Sequence, residues 1–563
     1  MAHNAYYGVS GVSRYVGKMY VGVDGVARKV VKAYIGIDGI ARLFFEDGSS
    51  VALHAMLYDD GSFVFQSSDV ADSGKTLVAT YSVNKTDKYT NVSSVPWNSN
   101  MPNIKSVSFI NGLSGISIAY WFYNARNLTA CDFSGFDVNT IANMAYSFHY
   151  CDNISSSPVC GRNVTNMAYA YSYCRKLTGN PACGNNVTNM YSTYFNCKNL
   201  TGNPVCGEKV TNMHWTYANC INLNGSPVCG DRVLDMSITY SGCYNLTGSP
   251  VCGNNVTNMY STYDDCKNLT GNPVCGDKVK NMYSAYGGCV NLTGSPVCGN
   301  NVTDMYCTYF GCKSLTGNPV CGDKVTNMHK TYDGCVNLTG SPVCGNNVTN
   351  MAYTYNRCSN LTGNPVCGNK VTDMTDTYCN CSNLTGSPVC GENVKTMPSA
   401  YSGCTNLTGN PVCGPNVTSM ARTYNECSNL TGNPVCGEKV TSMAYTYYNC
   451  SNLTGPAVCG SSVTSMGYAY SGCSNISGNA YFYATNVTNV VNCFYNHPTS
   501  NRLNIYVVSG SKTNTTVHYT NTKSLIGTYI TWTDAGTYQY NTTYNIYIYP
   551  VENIAAAREV NGD

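Results

Sequence analysis

Charge is scarce in this sequence. Only 11% of its 563 residues are charged and the formal net charge is +2, so no broad field recruits nucleic acid or an anionic membrane. Histidine (7) and tryptophan (4) are few, and no acid–base, nucleophile or cofactor constellation can be assigned, which argues against an enzyme. No stretch approaches the roughly 20 apolar residues of a membrane span. The opening "MAHNAYYGVSGVSRYVG" lacks the apolar centre of an export signal. These absences predict a chain with no cofactor, no nucleic-acid partner and no membrane insertion. They also predict one that stays in the cytosol or leaves the cell by a route such as lysis.

What is abundant is Tyr (48), Cys (33) and Gly (53). In a secreted chain that cysteine density would read as a disulfide framework; without a leader the inference weakens, and an odd total leaves at least one thiol unpaired or bonded to another chain. Four regions follow from the patterning. Residues 1–46 carry a short repeat in which Gly11, Gly25 and Gly39 recur with a basic cluster of Arg14, Lys18, Arg28, Lys29, Lys32 and Arg42. Alternating apolar residues around Asp24-Gly25 and Asp38-Gly39 predict β-hairpins, either a plain β module or a docking segment. Residues 47–127 form a β-rich capping region, with "SFVFQSS", "TLVATYSV" and "IKSVSFI" as strands.

Residues 128–493 keep time. The Cys of "PVCG" recurs every 23 residues from Cys160 to Cys459, and a second column runs from Cys151 to Cys473 at the same period. That regularity predicts a solenoid whose units bury their faces only against neighbours. Within one unit Val210, Met213, Tyr217, Cys220 and Leu223 are spaced like one stripe of a helix, with Thr211 as its N-cap. "NPVCG" reads as a brief strand, and the Gly after Cys as a left-handed turn. The expected fold is therefore an α/β repeat solenoid, a short helix plus a short strand per rung, flanked by β-rich modules. Residues 494–563 form a β-rich cap or tip.

The unit "LTACDFSGFDVNTIANMAYSFHYC", with Leu128, Phe133, Phe136, Ile141, Met144, Phe148 and Cys151, resembles the BspA-type leucine-rich repeat of bacterial surface proteins. Later units keep "VTNM…TY..C.NLTG" but shorten the strand side. The resemblance implies a leucine-rich-repeat-like fold and an interaction role without catalytic residues. The "GVDGVARKV" modules resemble N-terminal segments of bacteriophage and prophage tail or minor structural proteins. That implies docking to other virion tail or baseplate proteins.

The invariant Met, Tyr, Val and Leu form a core ladder, with the Tyr hydroxyl reaching an acceptor. Both cysteine columns act as small buried hydrophobes, since Ala125 occupies the position in the lead-in unit, although disulfides between rungs are within reach. A zinc site has no His partner column. The residues that drift lie between Met and Cys and share one face of the expected helix. They are Tyr191, Phe195, His214, Trp215, Tyr260, Tyr283, Tyr306, His329, Tyr353, Tyr445 and Tyr448. Such a band suits binding of a bacterial surface glycan or protein, or is neutral drift on a solvated face; the C-terminal module is the rival site. Alternation of "NPVCGDKV" with "SPVCGNNV" reads as a duplicated two-unit block, history rather than chemistry. The predicted function is a non-enzymatic virion tail-associated adhesion protein, assembled in the host cytoplasm, with a homo-oligomer among its expected partners. The alternative is a bacterial cell-surface adhesin.

Overall fold

The computed structural model describes residues 53–508 apart from 85, 111, 485, 486, 488, 491 and 499. It also describes 553–561 and, as backbone strands only, segments within 5–46 and 517–551. The strands within 5–46 pair as three separate antiparallel hairpins. Pairing of Val23 with Val26 and of Ile37 with Ile40 leaves Asp24-Gly25 and Asp38-Gly39 between strands. A docking role for 1–46 concerns side chains outside the described residues.

The capping sheet is built on Leu53–Tyr58, which pairs antiparallel with both Ser62–Gln66 and Leu77–Val83. Ser62–Gln66 then pairs in parallel with Ser106–Phe109, and that strand in parallel with Ala130–Asp132. The open end of the repeat stack is thus continued as a sheet rather than left as bare edge. Beneath it Phe63, Phe65, Trp97 and Trp121 are buried. The indole N–H of Trp97 donates to the Trp121 carbonyl at 2.6 Å, as a buried indole requires.

From there the chain winds into a solenoid of about 16 turns. Val210, Met213, Tyr217, Cys220 and Leu223 are all fully buried, and the same holds rung after rung. The core stripe is where the spacing placed it, but no helix produces it. The amide of Thr216 donates to the Met213 carbonyl, that of Cys220 to Tyr217 and that of Leu223 to Cys220, at 3.0, 2.9 and 3.0 Å. These are successive four-residue turns, and each brings its first side chain inward after three or four residues. Turn and helix therefore share one apolar period. The turns are closed by left-handed residues, Trp215 at φ 61° and Asn219 at φ 59°, which a right-handed helix excludes.

The amides between the turns leave the rung. Met213, Trp215, Tyr217 and Asn219 donate to carbonyls of Asp235, Ser237, Thr239 and Ser241 in the next turn, at 3.0, 3.2, 2.9 and 2.8 Å. Parallel bridges run along the same side, Asn189 to Asn212 to Asp235 and onward. The half of the rung expected to be helical is thus the half that carries the inter-rung ladder. It holds even Ile238 at φ 56°, where a β-branched side chain is strained.

The expected "NPVCG" strand forms only at Val458–Cys459, beside Tyr481–Phe482. In the other rungs a proline immediately precedes this valine or alanine and has no N–H to give to a ladder, while in every rung, Val458 included, that residue bonds the frame tyrosine. The Val205 amide donates to the Tyr217 hydroxyl at 3.0 Å, and that hydroxyl donates to the Val205 carbonyl at 2.7 Å. One phenol satisfies both backbone groups of Val205, which explains why the frame keeps Tyr at this position.

Three smaller expectations are also corrected. Thr211 caps nothing: its hydroxyl donates to the Thr188 carbonyl at 3.2 Å, while Asn212 accepts from the His214 amide at 2.8 Å. The Gly after Cys is not left-handed; a Cβ on Gly207 would lie 2.8 Å from the Gly184 carbonyl oxygen and 3.2 Å from Cys183 Sγ. Left-handed glycines stand instead after "LT", as at Gly202 with φ +80°, and in some rungs before the inner Cys, as at Gly242 with φ +72°. The two-unit alternation has chemistry in it. Lys278 Nζ donates to Asn255 Oδ1 at 2.6 Å, and Asn255 Nδ2 donates to the Asp231 carbonyl at 2.8 Å, so the two residue types clasp alternate rungs.

At the other end Gly478–Phe482 pairs in parallel with Leu503–Val508, and that strand with Ile546–Val551, which Tyr538–Asn541 joins antiparallel. A short helix, Ile554–Asn561, follows.

Candidate functional site

The drifting residues project from the turn half of the rung, beside the ladder. The structure divides the band expected from sequence into three aromatic runs. In the first, Tyr191 stacks on His214 at 5.2 Å, and Trp215 is wedged between Phe195 at 4.8 Å and His214 at 5.8 Å. In the second, Tyr260, Tyr283, Tyr306 and His329 stack in order at 4.9, 4.4 and 5.0 Å, and Tyr353 meets His329 edge-on at 5.6 Å. In the third, Tyr445 lies 5.7 Å from Tyr448 and stacks on Tyr468 at 4.7 Å. Ser237 and Ile238 break the first run from the second.

Most of these rings are half-buried, and Tyr260 is exposed. Because the rings cover one another's faces, the runs present edges and hydroxyls to solvent rather than open stacking platforms. Cations lie over ring faces along the band, Lys330 over Tyr353 at 5.3 Å and Arg422 over Tyr445 at 4.8 Å. Carboxylates flank the second run, Asp264 and Asp376 half-buried and Asp333 buried. Burial raises Asp264 to about 6 although Ser284 donates to it at 3.1 Å; burial likewise raises Asp333 and Asp376.

The sequence reading missed the N-terminal extension of the first run: Tyr120, Tyr123, Tyr146, His149, Tyr150, Tyr169 and Tyr173. The register was visible, since "NMAYSFHYC" aligns with "NMYSTYFNC". Phe148 replaces the frame Tyr in one of these rungs, and Tyr171 keeps it in the next. His149 is buried among tyrosine rings, and burial lowers it to about 4. Its folded value lies below the ordinary 6.5, so its contribution is intact above 6.5 and is lost as pH falls from there towards 4. Lowering the pH from 7 to 4.5 is expected to destabilise these rungs by about 2 kcal/mol through this group. His149→Phe, the residue type found at the matching Phe195, should remove that part of the acid sensitivity in paired thermal melts.

All 33 cysteines are free thiols. The inner column is more than filler: Cys220 Sγ donates to the Tyr194 carbonyl at 3.0 Å, and Cys243 Sγ to Tyr217 at 3.0 Å. Among the described residues no cluster of His, Cys, Asp and Glu could hold a metal ion, and no helix is long and apolar enough to cross a membrane.

The fold is a β-solenoid with little helix. Residues 116–228 match the family "Mycoplasma protein of unknown function, DUF285". Residues 376–400 match the Kazal-type serine protease inhibitor domain, over a segment that here forms ordinary rungs with free thiols. No curated protein matches the sequence. Three solved structures are similar. A leucine-rich repeat protein from Eubacterium ventriosum is 15% identical at a TM-score of 0.27, covering 77% of this chain and 94% of its own. One from Bacteroides ovatus is 10% identical at 0.25, covering 89% and 100%. A leucine rich cell surface protein from Faecalibacterium prausnitzii is 13% identical at 0.24, covering 77% and 93%.

Proposed function

We propose that this chain is a non-enzymatic recognition solenoid, an adhesin-like protein displayed at a bacterial surface. It binds its ligand through the aromatic runs beside the inter-rung ladder. The observation that carries this reading is the second run. Tyr260, Tyr283, Tyr306 and His329 hold one register over four consecutive rungs at solvent, while the backbone positions they occupy accept Ala or Ser elsewhere. Neither folding nor solubility calls for such a row; a contact surface does.

The neighbouring rungs supply substitutions that the fold already tolerates. Ala352, Ala421 and Ala444 stand where Tyr283 and Tyr306 do, so Tyr283→Ala with Tyr306→Ala leaves the turns intact. Attachment of the purified chain to bacterial cells is expected to weaken about fivefold or more, with the melting temperature nearly unchanged. Normal attachment by that variant would sink this reading.

A virion-tail location, with residues 1–46 engaging tail or baseplate proteins, is the narrower reading and rests on the sequence resemblance of "GVDGVARKV" alone. Immunogold labelling separates the two locations. Label on the cell envelope supports the surface adhesin, and label on released particles supports the tail protein.

A further inference from the structure

Among the described residues, a dense aromatic surface lies ahead of the band marked out by sequence. Tyr120, Tyr146 and Tyr169 stack at 4.8 and 4.5 Å in one column, and Tyr150 stacks on Tyr173 at 4.5 Å in a second. His149 fills the seam between the columns. Its ring lies 4.2 Å from Tyr150, 5.2 Å from Tyr123, 5.5 Å from Tyr169 and 5.6 Å from Tyr146. It is only 7% exposed, and its Nδ1 has no hydrogen-bond partner. Most of the surrounding tyrosines are half-buried, so the patch is pre-ordered and needs little rearrangement to bind.

Charge then selects the ligand. Arg126 and Arg175 lie 5.7 Å over the rings of Tyr150 and Tyr173. They occupy the same register two rungs apart, about 10 Å along the axis. The register position between them is Asp152, which pairs with Arg175 at 3.1 Å, and Arg126 is steadied by Asn124 Oδ1 at 2.8 Å. Both arginines are exposed, and Lys176 and Lys198 stand beside them, also exposed. Each guanidinium commits one nitrogen to these contacts and keeps further N–H donors that match a carboxylate or phosphate. The second run is mixed in charge, with Lys330 over Tyr353 and Asp264 and Asp333 among its rungs.

Resting on the recognition reading above, we infer that the patch from Tyr120 to Tyr173 binds an anionic polysaccharide. Its acidic groups meet Arg126 and Arg175, and its sugar rings lie across the tyrosine edges and hydroxyls. A linear polymer suits the geometry because the two arginines stand in one register two rungs apart, with the stacked Tyr150 and Tyr173 beneath them. Amphipathic tyrosine edges suit a ligand that is apolar on its ring faces and polar at its rim.

The test measures binding of the full chain to oligogalacturonate, to a phosphomannan oligosaccharide and to a neutral glucan oligosaccharide of similar length. The expected result is binding to at least one acidic polymer, weakening as salt rises, and none to the glucan. The two acidic arms tell a carboxylate from a phosphate ligand. Arg126→Ala with Arg175→Ala should raise Kd about tenfold or more. Tyr150→Asn with Tyr173→Asn should do the same without unfolding, since Asn196 and Asn219 occupy that left-handed position in the next two rungs. Equal binding to the neutral glucan, no binding to either acid polymer, or undiminished binding by both double variants would overturn the inference. Cell attachment separates the two claims. If only the Tyr283 and Tyr306 variant loses attachment, the recognition reading stands and this patch is not its site.

Discussion

Tyr217→Ala is expected to destabilise the solenoid by about 3–5 kcal/mol, the cost of emptying a buried aromatic position. The Tyr217 ring is fully buried, 5.5 Å from the rings of Tyr194 and Tyr240 on either side. Tyr217→Phe separates ring from hydroxyl. It keeps the stack but leaves the Val205 amide and carbonyl without their partner, which should cost about 1–3 kcal/mol. Because a repeat array need not unfold as one unit, the measurement is hydrogen exchange together with melting. Protection should fall most at the rungs containing Tyr194, Tyr217 and Tyr240, and much less at the two ends. A Phe variant indistinguishable from the parent would show that the hydroxyl's two bonds contribute nothing.

The second large effect concerns the thiols. In the native protein at neutral pH the inner column, from Cys151 to Cys473, is expected to be inert to thiol reagents. After denaturation without reductant all 33 cysteines should react. Inner thiols such as Cys220 are buried and committed to a carbonyl, and burial pushes them well above the usual thiol range. The outer column is partly exposed, so it should label first, but slowly. Burial raises Cys183 to about 12 from 9.0, which lowers its reactive thiolate fraction about a thousandfold. Mass spectrometry of partly labelled protein reads out the order. Rapid native labelling of the inner column, or a denatured total far below 33, would contradict this packing.

The inner cysteines show what a sequence pattern can and cannot carry. Ala125 in the lead-in unit correctly says that the site wants a small side chain. It does not reveal that the sulfur donates to a carbonyl 26 residues back, because that acceptor belongs to another rung. The Tyr column is similar: its burial was legible, but its partner at Val205 depends on where the chain turns at Pro204. For the candidate site, the drifting positions were legible from Tyr191 onward. The tyrosine patch around His149 stands in the same register, with Phe148 in the frame of one rung and Tyr171 in the next, but its packing around one buried ring joins residues of successive rungs and exists only in the stack.

By itself the sequence determined the period, the stack and the inward residues. A 23-residue clock with invariant Val, Met, Tyr, Cys and Leu allows no arrangement but rungs that bury those side chains against their neighbours. What joins rung to rung was decided only in three dimensions. Apolar spacing reports which side chains turn inward, and a pair of four-residue turns places them as a helix would. The choice between them lies in the backbone: Trp215 and Asn219 take left-handed conformations, and alternate amides then point along the axis to carbonyls of the next turn. Those acceptors exist only once the neighbouring rung is in place, so no single repeat could disclose them.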